Sequence, residues 1–250
     1  MNNTPLRDSL RQFLRTRFLV YPHGLTEGTP IEGIAFFPGG PGVYWERGGG
    51  APPDIPHKGV MVLGNDFGRP LSTYRANITM QGESTGPTWR QLLQLLQRGD
   101  IRPEECFFTN AYMGLRTGEK QEGPSPGVLA GDEAFISACR EFFLDQLRIQ
   151  QPWLVLALGK YVPPFLAKLS PSLKLWEGGI EGIDFSRLSD TSAVMYAVNF
   201  RDVIEVRPTV VALLHPSKRH LNLHTRKYDG LQGDEAEVRM LHDARARHLT

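Results

Sequence analysis

The chain has 250 residues, 40% of them hydrophobic and 22% charged, which excludes a disordered or fibrous polypeptide and allows one large α/β domain or two small ones. A formal net charge of +1 excludes a polybasic coat or an acidic tail, so any contact with nucleic acid has to come from a local patch. Two cysteines, Cys106 and Cys139, are too few for a disulfide framework, a four-thiolate zinc site or an iron–sulfur cluster, and they fit a reduced, cytoplasmic setting.

In the first twenty residues Leu6, Leu10, Phe13, Leu14 and Phe18 recur at helical spacing, with Arg7, Arg11, Arg15 and Arg17 between them. The charges rule out a secretory signal. A transit peptide would share the arginines, but a folded first helix over about 1–20 is the better reading. IEGIAFFPGGPG suggests a short strand entering a Gly/Pro-rich loop over 38–56, which carries Tyr44 and Trp45. VMVLG, 60–64, is a continuous apolar run and reads as a buried strand. Residues 86–100 read as a helix, with Thr88 and Gln91 at capping-box spacing and Gly99 at the end.

CFFTN, 106–110, is a second buried strand. Residues 131–150 form an amphipathic helix with Phe135, Cys139, Phe142, Phe143 and Leu147 on its apolar side. WLVLALG, 153–159, is a third strand. AVMYAV, 193–198, reads as an edge strand or hairpin arm, and TVVALLH, 209–215, as a fourth buried strand ending in His215. The C-terminal EAEVRMLHDARARHL is helical. No apolar run is long enough to span a membrane.

Strands alternating with helices predict a single α/β domain over 1–250. Its expected architecture is a three-layer α/β/α sandwich around a mostly parallel four-stranded sheet. In such a sheet the carboxyl ends of the strands share one edge, where ligands bind. That edge collects Asn65 and Asp66, Asn110, Gly159, and His215 with Pro216 and Ser217. The duller alternatives are a turn aspartate, a strand-closing asparagine and a buried, satisfied histidine. Gly159-Lys160 lacks the upstream glycine of a phosphate loop, and His215, His220 and His224 have no carboxylate among them for a metal site.

The ordered set Gly64-Asn65-Asp66, Thr109-Asn110, Ala157-Leu158-Gly159 and His215-Pro216-Ser217 resembles the uracil-DNA glycosylase superfamily. Each piece is weak alone; the four in order, from roughly residue 60 to 220, are more specific. The resemblance implies hydrolysis of the bond between a base and deoxyribose, on a nucleotide flipped out of the duplex. Asp66 falls at the catalytic acidic position, with the task of positioning a water and stabilising positive charge on the sugar. His215 would hydrogen-bond the base oxygen as it gains negative charge. Asn110 would read the polar edge of the base. Asn65 would hold the base or the water.

The chain departs from the pattern after Asp66. In the best-known branch a Pro-Tyr pair follows, and the tyrosine excludes thymine; here Phe67 and Gly68 stand there. A glycine at that gate implies room for a substituent at C5, as in the hydroxymethylated or glycosylated bases of some phage DNA. Phe67, or the loop with Tyr44 and Trp45, would close the space otherwise. Phe67 and Tyr74 are the candidates to stack on the base.

After His215 the segment SKRHLNLHTRKY gathers Lys218, Arg219, Arg226 and Lys227 with no acidic residue between them. Ser217, Lys218, Arg219 and Arg226 are therefore the expected DNA contacts, the alternative being a solvated loop. The leading expectation is a monofunctional, monomeric DNA glycosylase acting in base excision repair or antiviral defence, with no metal or redox cofactor and no membrane contact. The alternative is a binding module of the same fold that has lost its chemistry.

Overall fold

The computed structural model describes residues 6–18, 20–27, 54–68, 87–118, 122–188 and 192–249. The strand expected in IEGIAFFPGGPG, nearly all of the Gly/Pro-rich loop with Tyr44 and Trp45, and Tyr74 lie outside these residues. The elements in chain order begin with α1 (Leu6–Arg17), β1 (Leu25–Thr26), β2 (Val60–Gly64), α2 (Pro87–Arg98), β3 (Cys106–Asn110) and β4 (Leu115–Arg116). Then come α3 (Pro126–Leu129), α4 (Glu133–Gln150), β5 (Leu154–Leu158), α5 (Val162–Ala167), β6 (Val194–Met195) and β7 (Thr209–Leu213). The chain closes with α6 (Arg219–Asn222), β8 (Lys227–Tyr228), β9 (Leu231–Gln232) and α7 (Gly233–Leu249).

The main sheet has the order β3-β2-β5-β7-β6. Its first four strands are parallel, and β6 adds a short antiparallel edge. The apolar runs are the reason. Apart from Gly64 at its end, every residue of β2, β3, β5 and β7 is buried, as strands covered on both faces require. β6 is the fifth strand, beyond the four expected, and it falls inside the segment read as an edge strand. Helices flank the sheet. α1 docks on α4, and Phe18, just past the end of α1, places its ring 5.9 Å from Phe135 and 6.0 Å from Phe142.

Local signals explain most boundaries. The Asp132 side chain accepts the Phe135 N–H at 2.9 Å and starts α4. The helix α2 begins at Pro87, one residue before Thr88, so Thr88 is inside the first turn and not its cap. A proline at the first helical position sacrifices an N–H that has no helical partner anyway.

The chain order places the site. From β2 the chain moves outward to β3, then returns past β2 to β5 and onward to β7. β2 and β5 are thus neighbours whose connections leave in opposite directions, and the crevice at their carboxyl ends is where ligands bind in open α/β sheets. The registers align those ends. Gly64 pairs with Asn110, Leu63 with Ala157, Ala157 with Ala212, and Leu158 with Leu213.

Candidate active site

Asn65 and Asp66 leave β2 directly above this crevice. Past the last ladder pair, Ala111 N–H donates to Gly64 O and Tyr112 N–H to Asn65 O, both at 2.8 Å. The two strands therefore stay joined as they turn, which fixes Asn65 against the end of β3. Gly64 is required by close approach. A Cβ there would lie 2.6 Å from Asn110 Oδ1, so the asparagine side chain rests where any other residue would put its own.

Two carboxamide atoms in this corner are buried and lack a hydrogen-bond partner: Asn65 Oδ1 and Asn110 Nδ2. Asn65 Nδ2 reaches Gly123 O at 3.4 Å. A buried polar atom without a partner is costly, and in native proteins it commonly marks a functional position. One acceptor and one donor are thus left open at the ends of adjacent strands.

The side chain of Asp66 is enclosed, 3% exposed. Arg116 Nε and Nη2 donate to its Oδ2 at 3.0 and 2.7 Å. The same guanidinium donates to the carbonyls of Glu122 at 3.0 Å, Gly123 at 2.8 Å and Pro124 at 3.0 Å. Burial pushes the Asp66 carboxyl above the ordinary carboxylate range, while Arg116 and the Gly68 N–H pull it back. We read the pair as ionised, because a guanidinium cannot deprotonate and would otherwise be buried without a counter-charge.

His215 follows β7. Its Nδ1 is 2.9 Å from Ser217 Oγ. Burial first, then Lys218, pushes its imidazole below the usual histidine range, and Glu122 pulls it partly back; the ring is therefore neutral at pH 7. Gly159, at the end of β5, makes room for it. A Cβ at Gly159 would lie 3.0 Å from His215 Cβ, and φ there is +81°, a backbone that disfavours side chains.

Phe67 is buried, 6% exposed, within the hydrophobic core. Gly68 has φ +57°. Glycine at the gate position is therefore explained by the backbone alone, whatever base is accepted. The third of the four strand-end signals, Ala157-Leu158-Gly159, lies at the end of the central strand, between the Asn65-Asp66 corner and His215.

The basic segment divides. Ser217 and Lys218 are partly exposed, and Lys218 Nζ pairs with Glu122 at 2.6 Å. Arg219 and Arg226 face inward, which corrects their expected role as DNA contacts. Arg219 pairs with Glu237 and Asp234, its side chain 6% exposed. Arg226 is fully buried, 3.3 Å from Glu237, with Nη2 on Ala212 O at 2.8 Å and its guanidinium over the Phe185 ring. A cation sealed against a carboxylate and an aromatic face cannot reach a phosphate without unfolding its surroundings. Glu237, on α7, also accepts the Leu214 N–H at 2.7 Å. It thereby holds the backbone immediately before His215.

Arg116, Glu122 and Glu237 were not among the expected site residues. Only Arg116 carried a signal, as the one cation in a stretch from Cys106 to Arg116 that is otherwise apolar or uncharged. Among the described residues no group of three His, Cys, Asp or Glu is placed to hold a metal ion, and no helix is long and apolar enough to cross a membrane.

This ordered edge, with its carboxylate, two carboxamides and neutral imidazole, agrees with a family model described as the uracil DNA glycosylase superfamily, which matches residues 54–238. The chain belongs to the uracil-DNA glycosylase superfamily. The match runs from just before β2 to Glu237 and Val238 in α7, so it takes in all four strand ends and the buried carboxylate behind His215. Members of the superfamily act on DNA as glycosylases. No curated protein matches the chain.

Proposed function

We propose that this protein hydrolyses the N-glycosidic bond between a pyrimidine and deoxyribose in DNA, releasing the base and leaving an abasic site. The observation that carries the reading is the pair of buried, unpartnered carboxamide atoms, Asn65 Oδ1 and Asn110 Nδ2, at the carboxyl ends of β2 and β3. An acceptor and a donor suit the polar edge of a flipped pyrimidine, whose ring N–H and carbonyl would meet them. Asp66 orients the attacking water and offers a carboxylate to the oxocarbenium-like sugar. The Ser217 hydroxyl donates to His215 Nδ1, which leaves Nε2–H to donate to the base oxygen as negative charge develops there.

Lys218 and Ser217 meet the DNA backbone. Leu221, 56% exposed on the same segment, is the apolar side chain available to fill the gap that a flipped nucleotide leaves. The protein works as a cytoplasmic monomer without a metal or redox cofactor. Its substrate is uracil or a pyrimidine enlarged at C5; the positive φ of Gly68 accounts for the glycine under either. Uracil would mean base excision repair, and a bulky phage base would mean defence.

One observation favours a second reading, a DNA-binding module without chemistry. Arg116 neutralises Asp66, and a neutral pair stabilises a sugar cation less than a lone carboxylate does. Both readings meet in one experiment. Oligonucleotides carrying uracil, mispaired thymine or 5-hydroxymethylcytosine, and phage DNA with glucosylated cytosine, are incubated with wild type and Asp66→Ala, then treated with alkali. Strand breaks with wild type alone support the glycosylase. Intact DNA that is nonetheless bound supports the module.

A further inference from the structure

The contacts of Arg116 go beyond an ordinary ion pair. Its side chain is 4% exposed. It sits on β4, which pairs antiparallel with β1 through Leu25 and Arg116, so its backbone is held by a strand outside the main sheet. Its guanidinium then bridges two parts of the site: Asp66 on one side, and the carbonyls of Glu122, Gly123 and Pro124 on the other. Nη2 alone serves Asp66, Gly123 and Pro124. Asn65 Nδ2 also reaches Gly123 O. The Glu122 carboxylate continues the chain of contacts to Lys218, in the segment after His215.

A guanidinium is a rigid planar fork. With its other N–H groups committed to three carbonyls, the direction in which it presents two donors to Asp66 is fixed. We propose that Arg116 is the positioning residue for Asp66, fixing the orientation of its carboxylate and tying it to the 122–124 segment that reaches across to Lys218. This rests on the glycosylase reading for its kinetic consequence, but not for its structural one. A lysine would supply the charge without the fork, so charge and direction are separable by substitution.

The groups facing Asp66 among the described residues are the Arg116 guanidinium, the Gly68 N–H and the Tyr112 phenol. Burial pushes the phenol upward, so it stays neutral throughout the working range. Arg116 is then the charge whose removal Asp66 would register.

The test uses the full chain as Arg116→Met, Arg116→Lys, Asp66→Asn and the Asp66→Asn/Arg116→Met double variant, with thermal melts to establish that each is folded. Under single turnover on a duplex carrying the base that wild type excises, Arg116→Met slows excision by about tenfold or more. Arg116→Lys also slows it, though it keeps the charge. DNA affinity stays within about twofold, because a side chain 4% exposed is out of reach of a phosphate. In the Asp66→Asn background Arg116→Met has no further effect. Additive losses, full activity in Arg116→Lys, or a loss confined to DNA affinity would each overturn the proposal.

A second readout does not depend on activity. In carbon-13 carboxyl NMR, with the Asp66 signal assigned from Asp66→Asn, Arg116→Met moves the titration midpoint of Asp66 upward. An unmoved midpoint overturns the pairing. If wild type excises nothing, the glycosylase reading fails and this titration still decides whether Arg116 governs Asp66. If Arg116→Met does not fold, Arg116→Lys carries both readouts, with slowed excision and a changed midpoint expected, and wild-type behaviour in both overturning the proposal.

Discussion

Beside β2, Arg116 directs its charge at Asp66, a residue with a part in the proposed chemistry. Beside β7, Arg219 and Arg226 direct theirs at Glu237, which has none and instead accepts the N–H of Leu214. Both regions bury arginine against carboxylate at the carboxyl end of a parallel strand. One ion pair is directed at Asp66, whose orientation it is proposed to fix; the other holds the backbone that leads to His215. Buried ion pairs thus stand at two removes from the proposed reaction, and only the nearer one should be visible as direct coupling to the Asp66 carboxylate.

Unequal stability losses are the largest expected sign of that difference. Glu237→Ala leaves Arg219 and Arg226 facing each other without their shared carboxylate, and should lower unfolding free energy by about 3–5 kcal/mol in urea denaturation. Asp66→Ala orphans one guanidinium that keeps three carbonyl acceptors, so its loss should be smaller. Equal losses would erase the comparison. Activity should rank the other way. Asp66→Ala and His215→Ala should each slow base excision by about a hundredfold or more in single-turnover assays. Glu237 variants that remain folded should lose less.

Gly159→Ala sharpens the β7 side. A side chain at φ +81°, 3.0 Å from His215 Cβ, should cost about 1–2 kcal/mol in thermal or chemical unfolding and slow excision by displacing the imidazole. Unchanged activity would mean that His215 has slack. Protonation gives a gentler probe. The folded-state pKa of His215 lies below 6.5, so the unfolded chain takes up that proton first as pH falls. Its contribution to stability is complete above the unfolded value and is lost as pH falls through the folded one. Wild type should therefore lose stability more steeply than His215→Asn below pH 6.5, as read by denaturation across pH. Parallel curves would place the imidazole in water. Smallest of all, Lys218→Ala removes a half-exposed cation at the rim. It should weaken DNA binding and lower the slope of log affinity against log salt by about 1. Arg226→Met should leave that slope unchanged.

The fold was legible where burial is continuous. Four apolar runs had no second interpretation, and β2 and β3 fall on the expected residues. The position of Asp66, Asn110 and His215 followed, because a parallel sheet brings its carboxyl ends to one edge. What local reading missed was direction across the fold. Arg219 and Arg226 sit among basic residues with no acid between them, yet their counter-charge comes from Glu237, on a helix further along the chain. Arg116 finds its partner fifty residues away. Periodicity identifies a buried face of apolar residues; it cannot identify a buried cation, because the carboxylate that admits it is set by tertiary contact. Thr88 fails as the cap of α2 for a local reason: Pro87 occupies the first helical position, which puts Thr88 inside the first turn.

The most direct measurement is detection of free base, by mass spectrometry, after single turnover on a uracil-containing duplex and on DNA carrying a bulky C5-modified pyrimidine. Wild type and folded Asp66→Asn are compared at equal DNA occupancy. Wild type should release base from at least one of them and leave an abasic site, and Asp66→Asn should bind the same DNA but release base far more slowly. Equal release by both proteins, or bound DNA from which wild type releases nothing, would contradict it.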